Sequence, residues 1–283
     1  MVNLQLDWEQ ASVLGLVLLA GQAMASRSLR SSAAAPYLQE SAIVAGLYAL
    51  WQLAASVSLL GTSGAFARGR WIERVQRSAH LPSERSLQHL IADQSLIAQL
   101  CNLYYAAMHF GVLGVFLLWL FVRHRDRYAE VRTALVLLTA ACLLIQLVPV
   151  APPRLFPDLG FVDVAAKYGQ SVYNLSGITV DELSAMPSVH VGWALLVAWA
   201  VLRFGTGRHR WWILLHPVVT VFVVAATGNH FWLDGIAAGL LLVPSVMAAR
   251  LFTGADHRDA GRTGIGHGDE RSRDLVKADH PCD

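Results

Sequence analysis

Two short segments of this chain hold side chains suited to moving a phosphoryl group: Met186-Pro187-Ser188-Val189-His190 and Thr227-Gly228-Asn229-His230-Phe231-Trp232-Leu233-Asp234-Gly235. Each is a breaker followed by a long apolar run, which reads as the polar start of a buried helix. Pro187 suits a first helical turn. The backbone amides left open there, with the positive end of the helix dipole, attract a phosphate oxygen, and Ser188 adds a hydroxyl donor. His230 and Asp234 are four residues apart, so on a helix they share a face. The carboxylate then accepts from one imidazole nitrogen and leaves the other free and more basic, which is how an imidazole becomes a nucleophile.

A histidine attacking phosphorus needs a partner to protonate the departing oxygen, and His190, at the same helix-start level, is the available acid. Charge on the transferring group also needs fixed donors. Arg154, in Ala151-Pro152-Pro153-Arg154-Leu155, offers a planar fork that fits phosphate better than lysine would. Asn229 and Thr227 offer further, neutral donors. His109, in Tyr104-Tyr105-Ala106-Ala107-Met108-His109-Phe110, could line the same cavity, with core packing the competing reading. A single interfacial histidine is as readily a satisfied polar group as a catalyst; two histidines and an aspartate at one face, two of them in a His-x-x-x-Asp spacing, are harder to explain that way. His and carboxylate also suit zinc, but a closed site wants a third or fourth ligand nearby, so neither metal nor other cofactor is expected.

The elements that must position these groups are membrane helices. The chain has 283 residues, 55% of them hydrophobic and 15% charged, with positive mean hydropathy, poor in charge for a soluble protein of that length. A hydrocarbon core about 30 Å thick requires about 20 mostly apolar residues per spanning helix. Six runs qualify, near residues 40 to 60, 99 to 122, 132 to 150, 188 to 204, 211 to 227 and 231 to 252. A weaker run at 9 to 26 reads as an additional spanning helix, since Asp7 and Glu9 precede it where a signal peptide would carry basic residues.

Orientation follows from arginines in short loops. Arg123, Arg125, Arg127 and Arg132 form one cluster and Arg203, Arg208 and Arg210 another, so both turns are expected to be cytoplasmic and every motif above to face outward. The segment 61 to 97 carries Arg68, Arg70, Arg74, Arg77 and Arg85 yet falls on the outer side. With Trp71, Ile72 and Val75 at helical spacing it reads as an interfacial helix. After Arg250 apolar periodicity stops, so residues 253 to 283 read as a disordered cytoplasmic tail. The resulting expectation is an all-α polytopic bundle: an N-terminal helix within residues 1 to 30, a six-helix domain over 31 to 252, and the tail.

Several function classes drop out. A net charge of +2 without a basic stripe gives no footprint for nucleic acid. Three cysteines, two of them in apolar runs, make no disulfide framework. No glycine-rich phosphate-cradling loop is present, which argues against a nucleotide-driven pump.

Taken together, the motifs resemble those of the type 2 phosphatidic acid phosphatase superfamily, which pairs Pro-Ser-x-His with His-x-x-x-Asp on successive outer helix ends. The resemblance covers roughly residues 40 to 252. Through Ala-Pro-Pro-Arg, Met-Pro-Ser-Val-His and Asn-His-Phe-Trp-Leu-Asp it is nearest to the branch of the fungal inositol phosphorylceramide synthases and their bacterial relatives. It implies that His230 becomes a phosphohistidine, that Asp234 orients it, that His190 protonates the leaving group and later activates the acceptor, and that Arg154 and Ser188 bind the phosphate. The pattern departs from the superfamily's phosphatases at Leu147, where a lysine is usual, and at Val224, where an arginine is usual. Two cationic phosphate contacts are missing, which favours the synthase-like branch.

The implied partners are a membrane lipid phosphate and an inositol or other alcohol acceptor. A lipid phosphate or polyprenyl pyrophosphate phosphatase is the alternative within the class. A non-catalytic transporter or lipid-binding protein is the alternative outside it.

Overall fold

The computed structural model describes residues 63–170 and 181–265, with a few isolated positions before them, Glu40 among them. The runs expected at 9 to 26 and 40 to 60 lie outside the described residues. The described chain is helical, without a β-strand; Val150 and Ser184 form an isolated parallel bridge. Its helices are α1 (Ala65–Ser78), α2 (Glu84–Ala92), α3 (Ser95–Arg123), α4 (Arg125–Gln146), the single turn α5 (Val164–Lys167), α6 (Val189–Phe204), α7 (Leu215–Ala226) and α8 (Trp232–Ile265). A 3-10 segment, Arg208–Leu214, leads into α7.

Four of these stretches are long and apolar enough to cross a membrane: Ser95–Arg123, Arg125–Gln146, Arg208–Ala226 and Trp232–Gly254. The apolar α6 is shorter, at 16 residues, about 24 Å of helix. The all-α membrane bundle expected from the sequence is therefore the fold.

Boundaries moved for local reasons. Helix α4 begins at Arg125 rather than near 132, because its charged first turns continue the helix beyond the apolar run, and it stops at Gln146 ahead of Pro149, Pro152 and Pro153. Helix α8 continues to Ile265, past the end at 252 read from composition. Once a long helix is nucleated each further residue adds at little cost, and Ala255, Arg258, Ala260 and Arg262 are good helix formers. The rest of the expected tail lies outside the described residues.

The bundle core joins α3, α4, α6 and α8 through Leu120, Val131, Leu138, Trp193, Leu196 and Ala249. Around it Leu100, Val115, Leu118, Leu144, Val218, Leu240, Val243 and Leu251 are exposed. That much apolar surface suits hydrocarbon, not water.

At the end of the bundle where α3, α6 and α8 begin, a second layer is built from α1, α2 and the loop from Pro149 to Lys167. The segment expected to lie against headgroups is thus a helical hairpin whose inner side packs on protein. Ile72 is buried with Val150, Ala151, Phe156, Phe161, Leu183, Ala185 and Phe231, while Trp71 stays 58% exposed.

Gly69 fixes how closely α1 approaches this layer. A Cβ there would lie 2.6 Å from the Ala151 carbonyl oxygen and 2.7 Å from the Phe156 ring. Gly69→Ala is therefore expected to destabilise the protein by about 1–3 kcal/mol through overpacking. Thermal unfolding in detergent checks it, and an unchanged midpoint would contradict this packing.

Candidate active site

Helix α6 starts at a capped turn. Ser188, fully buried, accepts from the Val191 N–H at 3.4 Å through its Oγ, and its own N–H donates to the Asp234 carbonyl at 3.0 Å. The two helix starts singled out in the sequence are thereby tied together, and His190 sits in the first turn of α6.

Helix α8 starts in a similar way, with caps drawn from far away. Asp234, fully buried, accepts from the Phe231 N–H at 2.7 Å. The next two amides are satisfied from the α1–α2 hairpin: Trp232 N–H donates to Glu84 Oε1 at 2.9 Å and Leu233 N–H to Gln76 Oε1 at 2.9 Å. Gln76 Nε2 also donates to Glu84 Oε1, at 2.8 Å. Burial pushes the Glu84 carboxyl above its ordinary range, opposed by the hydrogen bond from Trp232. Orphan amides at a helix start must find acceptors, and here they find them about 150 residues away in sequence.

His230 precedes this helix and is 4% exposed. Its Nδ1 lies 2.7 Å from the Ala185 carbonyl oxygen and 3.5 Å from Asp234 Oδ2. A carbonyl oxygen only accepts, so Nδ1 carries the hydrogen and Nε2 presents its lone pair. That Nε2 is buried and has no hydrogen-bond partner among the described residues. The orientation expected from Asp234 alone is thus shared: the carbonyl takes the short bond, and the carboxylate lies just beyond while capping α8. Ala185 is placed in turn by its N–H, which donates to the Val150 carbonyl at 3.2 Å, and Gln146 Nε2 holds the same loop by donating to the Pro187 carbonyl at 2.8 Å.

The second histidine faces the first. The His190 and His230 rings have centroids 5.6 Å apart. His190 stacks on Tyr105 at 4.4 Å and meets His109 at 4.2 Å, both from α3. His109, offered by the sequence equally as a core residue, joins the site.

Arg154 is 5% exposed and held on several sides. Its backbone N–H donates to the Gly228 carbonyl at 2.8 Å, Nε donates to Asn229 Oδ1 at 3.1 Å, and Nη1 donates to Asp163 Oδ2 at 2.8 Å. Glu182 Oε1 stands 3.9 Å from Nη2. Asn229 Nδ2 donates to Thr227 Oγ1 at 2.8 Å, so Thr227 orients the amide whose oxygen accepts from Arg154. Gly228 permits this approach: its φ is 72°, and a Cβ would lie 2.7 Å from Gln88 Nε2 and 3.2 Å from Arg154 Cβ. The usual arginine position, Val224, is buried on α7, and its carbonyl accepts from the Asn229 and His230 amides at 3.0 and 3.2 Å.

Sequence reasoning missed Gln76, Glu84, Gln88, Asp163 and Glu182. Gln88, fully buried, pairs with both backbone groups of Val162, accepting at 2.8 Å and donating at 2.9 Å. For Gln76, Glu84 and Gln88 the signal was a polar residue on the inner side of an otherwise amphipathic pattern, visible only once that side has a partner; Asp163 and Glu182 sit at short turns and gave no such signal.

The arrangement offers a buried imidazole lone pair, a second imidazole at ring-contact range and a buried guanidinium bonded to Asn229, the residue before the first histidine, groups suited to attack on a phosphorus centre. No curated protein and no solved structure matches the chain. The family model described as PAP2 superfamily matches residues 70–248, a span that starts in α1, ends in α8 and contains every residue of the site. The chain therefore belongs to the PAP2 superfamily, a phosphatase and phosphotransferase family.

Proposed function

We propose that this protein transfers a phosphate headgroup between a membrane lipid and an alcohol acceptor through a phosphohistidine on His230. The observation that carries the reading is His230 itself: Nδ1 is committed to the Ala185 carbonyl, and Nε2 is buried without a hydrogen-bond partner among the described residues. In the first half-reaction Nε2 attacks phosphorus, the bond to the leaving oxygen breaks, and His190 donates the proton that oxygen needs. In the second, His190 takes the proton of the acceptor hydroxyl as that oxygen bonds to phosphorus and the N–P bond breaks. Arg154 neutralises charge on the non-bridging oxygens.

An inositol-type alcohol is the proposed acceptor, supported by the missing cations at Leu147 and Val224 and by the likeness of the motifs to the inositol phosphorylceramide synthases. With water as acceptor the same steps describe a lipid phosphatase. The site is proposed to face the non-cytoplasmic side. Arg123, Arg125 and Arg127 lie at the α3–α4 turn and Arg203, Arg208 and Arg210 at the α6–α7 turn, both at the opposite bundle end from His190 and His230.

The test supplies purified protein with a headgroup-labelled lipid phosphate donor, with and without inositol, and identifies products by mass. Label appearing in an inositol phosphate ester of the acceptor is the expected result. Free phosphate alone, whatever the acceptor, would turn the reading to hydrolysis, and no release of label from a panel of lipid phosphates would overturn it.

A further inference from the structure

A polar cluster between α3 and α7 takes no part in the chemistry at the histidines. The Tyr104 hydroxyl lies 3.1 Å from His216 Nδ1 and 3.0 Å from Thr220 Oγ1, and Thr220 Oγ1 lies 2.8 Å from the His216 carbonyl oxygen. All three residues fall inside stretches long and apolar enough to span a membrane, where a polar side chain is costly and marks a functional position.

Counting hydrogens fixes the direction of every bond. The carbonyl oxygen only accepts, so the Thr220 hydroxyl hydrogen goes to it. Thr220 Oγ1 therefore accepts from the Tyr104 hydroxyl, and the Tyr104 oxygen, its own hydrogen engaged, accepts from His216 Nδ1. In the neutral imidazole Nε2 is then left as an acceptor, with no hydrogen-bond partner among the described residues. Holding α3 to α7 needs only the bond between Tyr104 and Thr220. The imidazole adds a free acceptor that such a tie does not require.

The cluster borders both the catalytic histidines and the lipid. Tyr105, the next residue on α3, stacks on His190 at 4.4 Å, and both tyrosines pack on Ile91, Cys101, Val223 and Ala226. On α7 the Val224 carbonyl accepts from the His230 amide. Thr220 is one turn from Val224, about 6 Å toward the Arg208 end, and His216 is one turn further on the same face. His216 is half-buried. Leu100 and Met108, one turn either side of Tyr104, and Trp212 and Val219, either side of His216, are exposed, so the seam opens on hydrocarbon.

We infer that this seam is the subsite for the part of the lipid adjoining its phosphate, and that His216 Nε2 accepts a hydrogen bond there from a lipid hydroxyl or amide N–H. A lipid joined to its tails by esters alone supplies only acceptors at that point and would leave Nε2 unpaired against it. The inference rests on the proposed function for the placement of a lipid phosphate at His230.

The test measures equilibrium binding to full-length His230→Ala protein in detergent, which holds lipids without turning them over, by native mass spectrometry. Three lipid phosphates matched in tail length compete: a diester, the same lipid with one ester replaced by an amide, and the same lipid with a free hydroxyl on its backbone. At least one donor-bearing lipid is expected to bind about tenfold or more tightly than the diester, the scale of one hydrogen bond to an otherwise unpaired buried acceptor, and the tighter of the two identifies the donor. Adding His216→Leu should bring that ratio close to one. Adding Tyr104→Phe, which keeps Nε2 but releases the ring from its hydrogen-bonded setting, should lower the ratio in part.

A ratio near one before either change overturns the inference, as does a ratio that survives His216→Leu, or no binding of any of the three lipids. Where thermal unfolding shows that His216→Leu does not fold, Tyr104→Phe carries the comparison, and an unchanged ratio in it overturns the inference. Failure of the proposed function looks different: wild-type protein would release no product from any of the three lipids, while the binding ratio would still be measurable.

Discussion

Replacing His230 by alanine is expected to lower turnover by at least about 10⁴-fold, since removal of a covalent nucleophile eliminates the step that the other groups serve. The fold should tolerate the change far better than the chemistry does. The substitution removes one hydrogen bond to the Ala185 carbonyl, worth about 0.5–1.5 kcal/mol, and leaves the capping of α8 by Asp234, Glu84 and Gln76 in place. Two readouts separate the outcomes: product formation from a labelled lipid phosphate, and retention of acid-labile, base-stable label on the protein after rapid quenching. Both should disappear together. A transporter or lipid-binding protein with histidines lining a polar cavity would keep flux or binding in this variant, and turnover at the wild-type rate would sink the phosphohistidine mechanism.

Arg154→Lys is expected to cost about 10²–10³-fold in kcat/KM, the scale of losing a fixed electrostatic donor from a water-poor site. The charge is kept, so the loss would come from geometry. The guanidinium donates to Asn229 through Nε and to Asp163 through Nη1 at once, with Glu182 near Nη2; an ammonium has no second arm with which to keep that orientation. Arg154→Ala should be worse and should also lower the unfolding midpoint, because Glu182, 10% exposed, would lose the compensating cation. Asp163 is 25% exposed, so solvent softens its share. Steady-state kinetics with thermal unfolding checks both variants, and a lysine variant with unchanged kcat/KM would remove Arg154 from the phosphate site.

These effects are sharp because the site is assembled from short polar segments pinned at several points. Gly228 lets Arg154 and Gln88 approach the loop, Val150 sets Ala185, and Ala185 sets His230. Each pin is a backbone group, so the histidine's tautomer depends on main-chain geometry as much as on the aspartate beside it in sequence.

Much of this was legible in the residue order. Apolar run length located α3, α4, α6, α7 and α8, because a helix that must satisfy its own backbone in hydrocarbon has little freedom in composition or length. Breakers before two of those runs located both helix starts, since capping chemistry is local: Ser188 and Asp234 cap helices within three residues of themselves. His109 was harder, because a polar residue on a long apolar helix reads alike whether it faces a cavity or a partner helix. The α1–α2 hairpin was read by its arginines and Trp71, the residues it shows to the surroundings, while its function in the fold lies with Gly69, Ile72, Gln76 and Gln88 on the other side.

By itself, then, the sequence determined the membrane bundle and the two polar helix starts that carry Ser188 and Asp234, because hydropathy and capping act over a few residues; the helix face expected to hold His230 beside Asp234 did not form, since His230 lies before α8. Tertiary structure alone decided that a carbonyl at 185 fixes the tautomer of His230, that carboxylates at 163 and 182 flank Arg154, and that Glu84 and Gln76 cap α8. Those contacts join residues from 9 to 157 positions apart. Most of them are made by backbone groups or by single polar side chains, which every residue or many residues supply, so only the packing of one segment on another selects which of them meet.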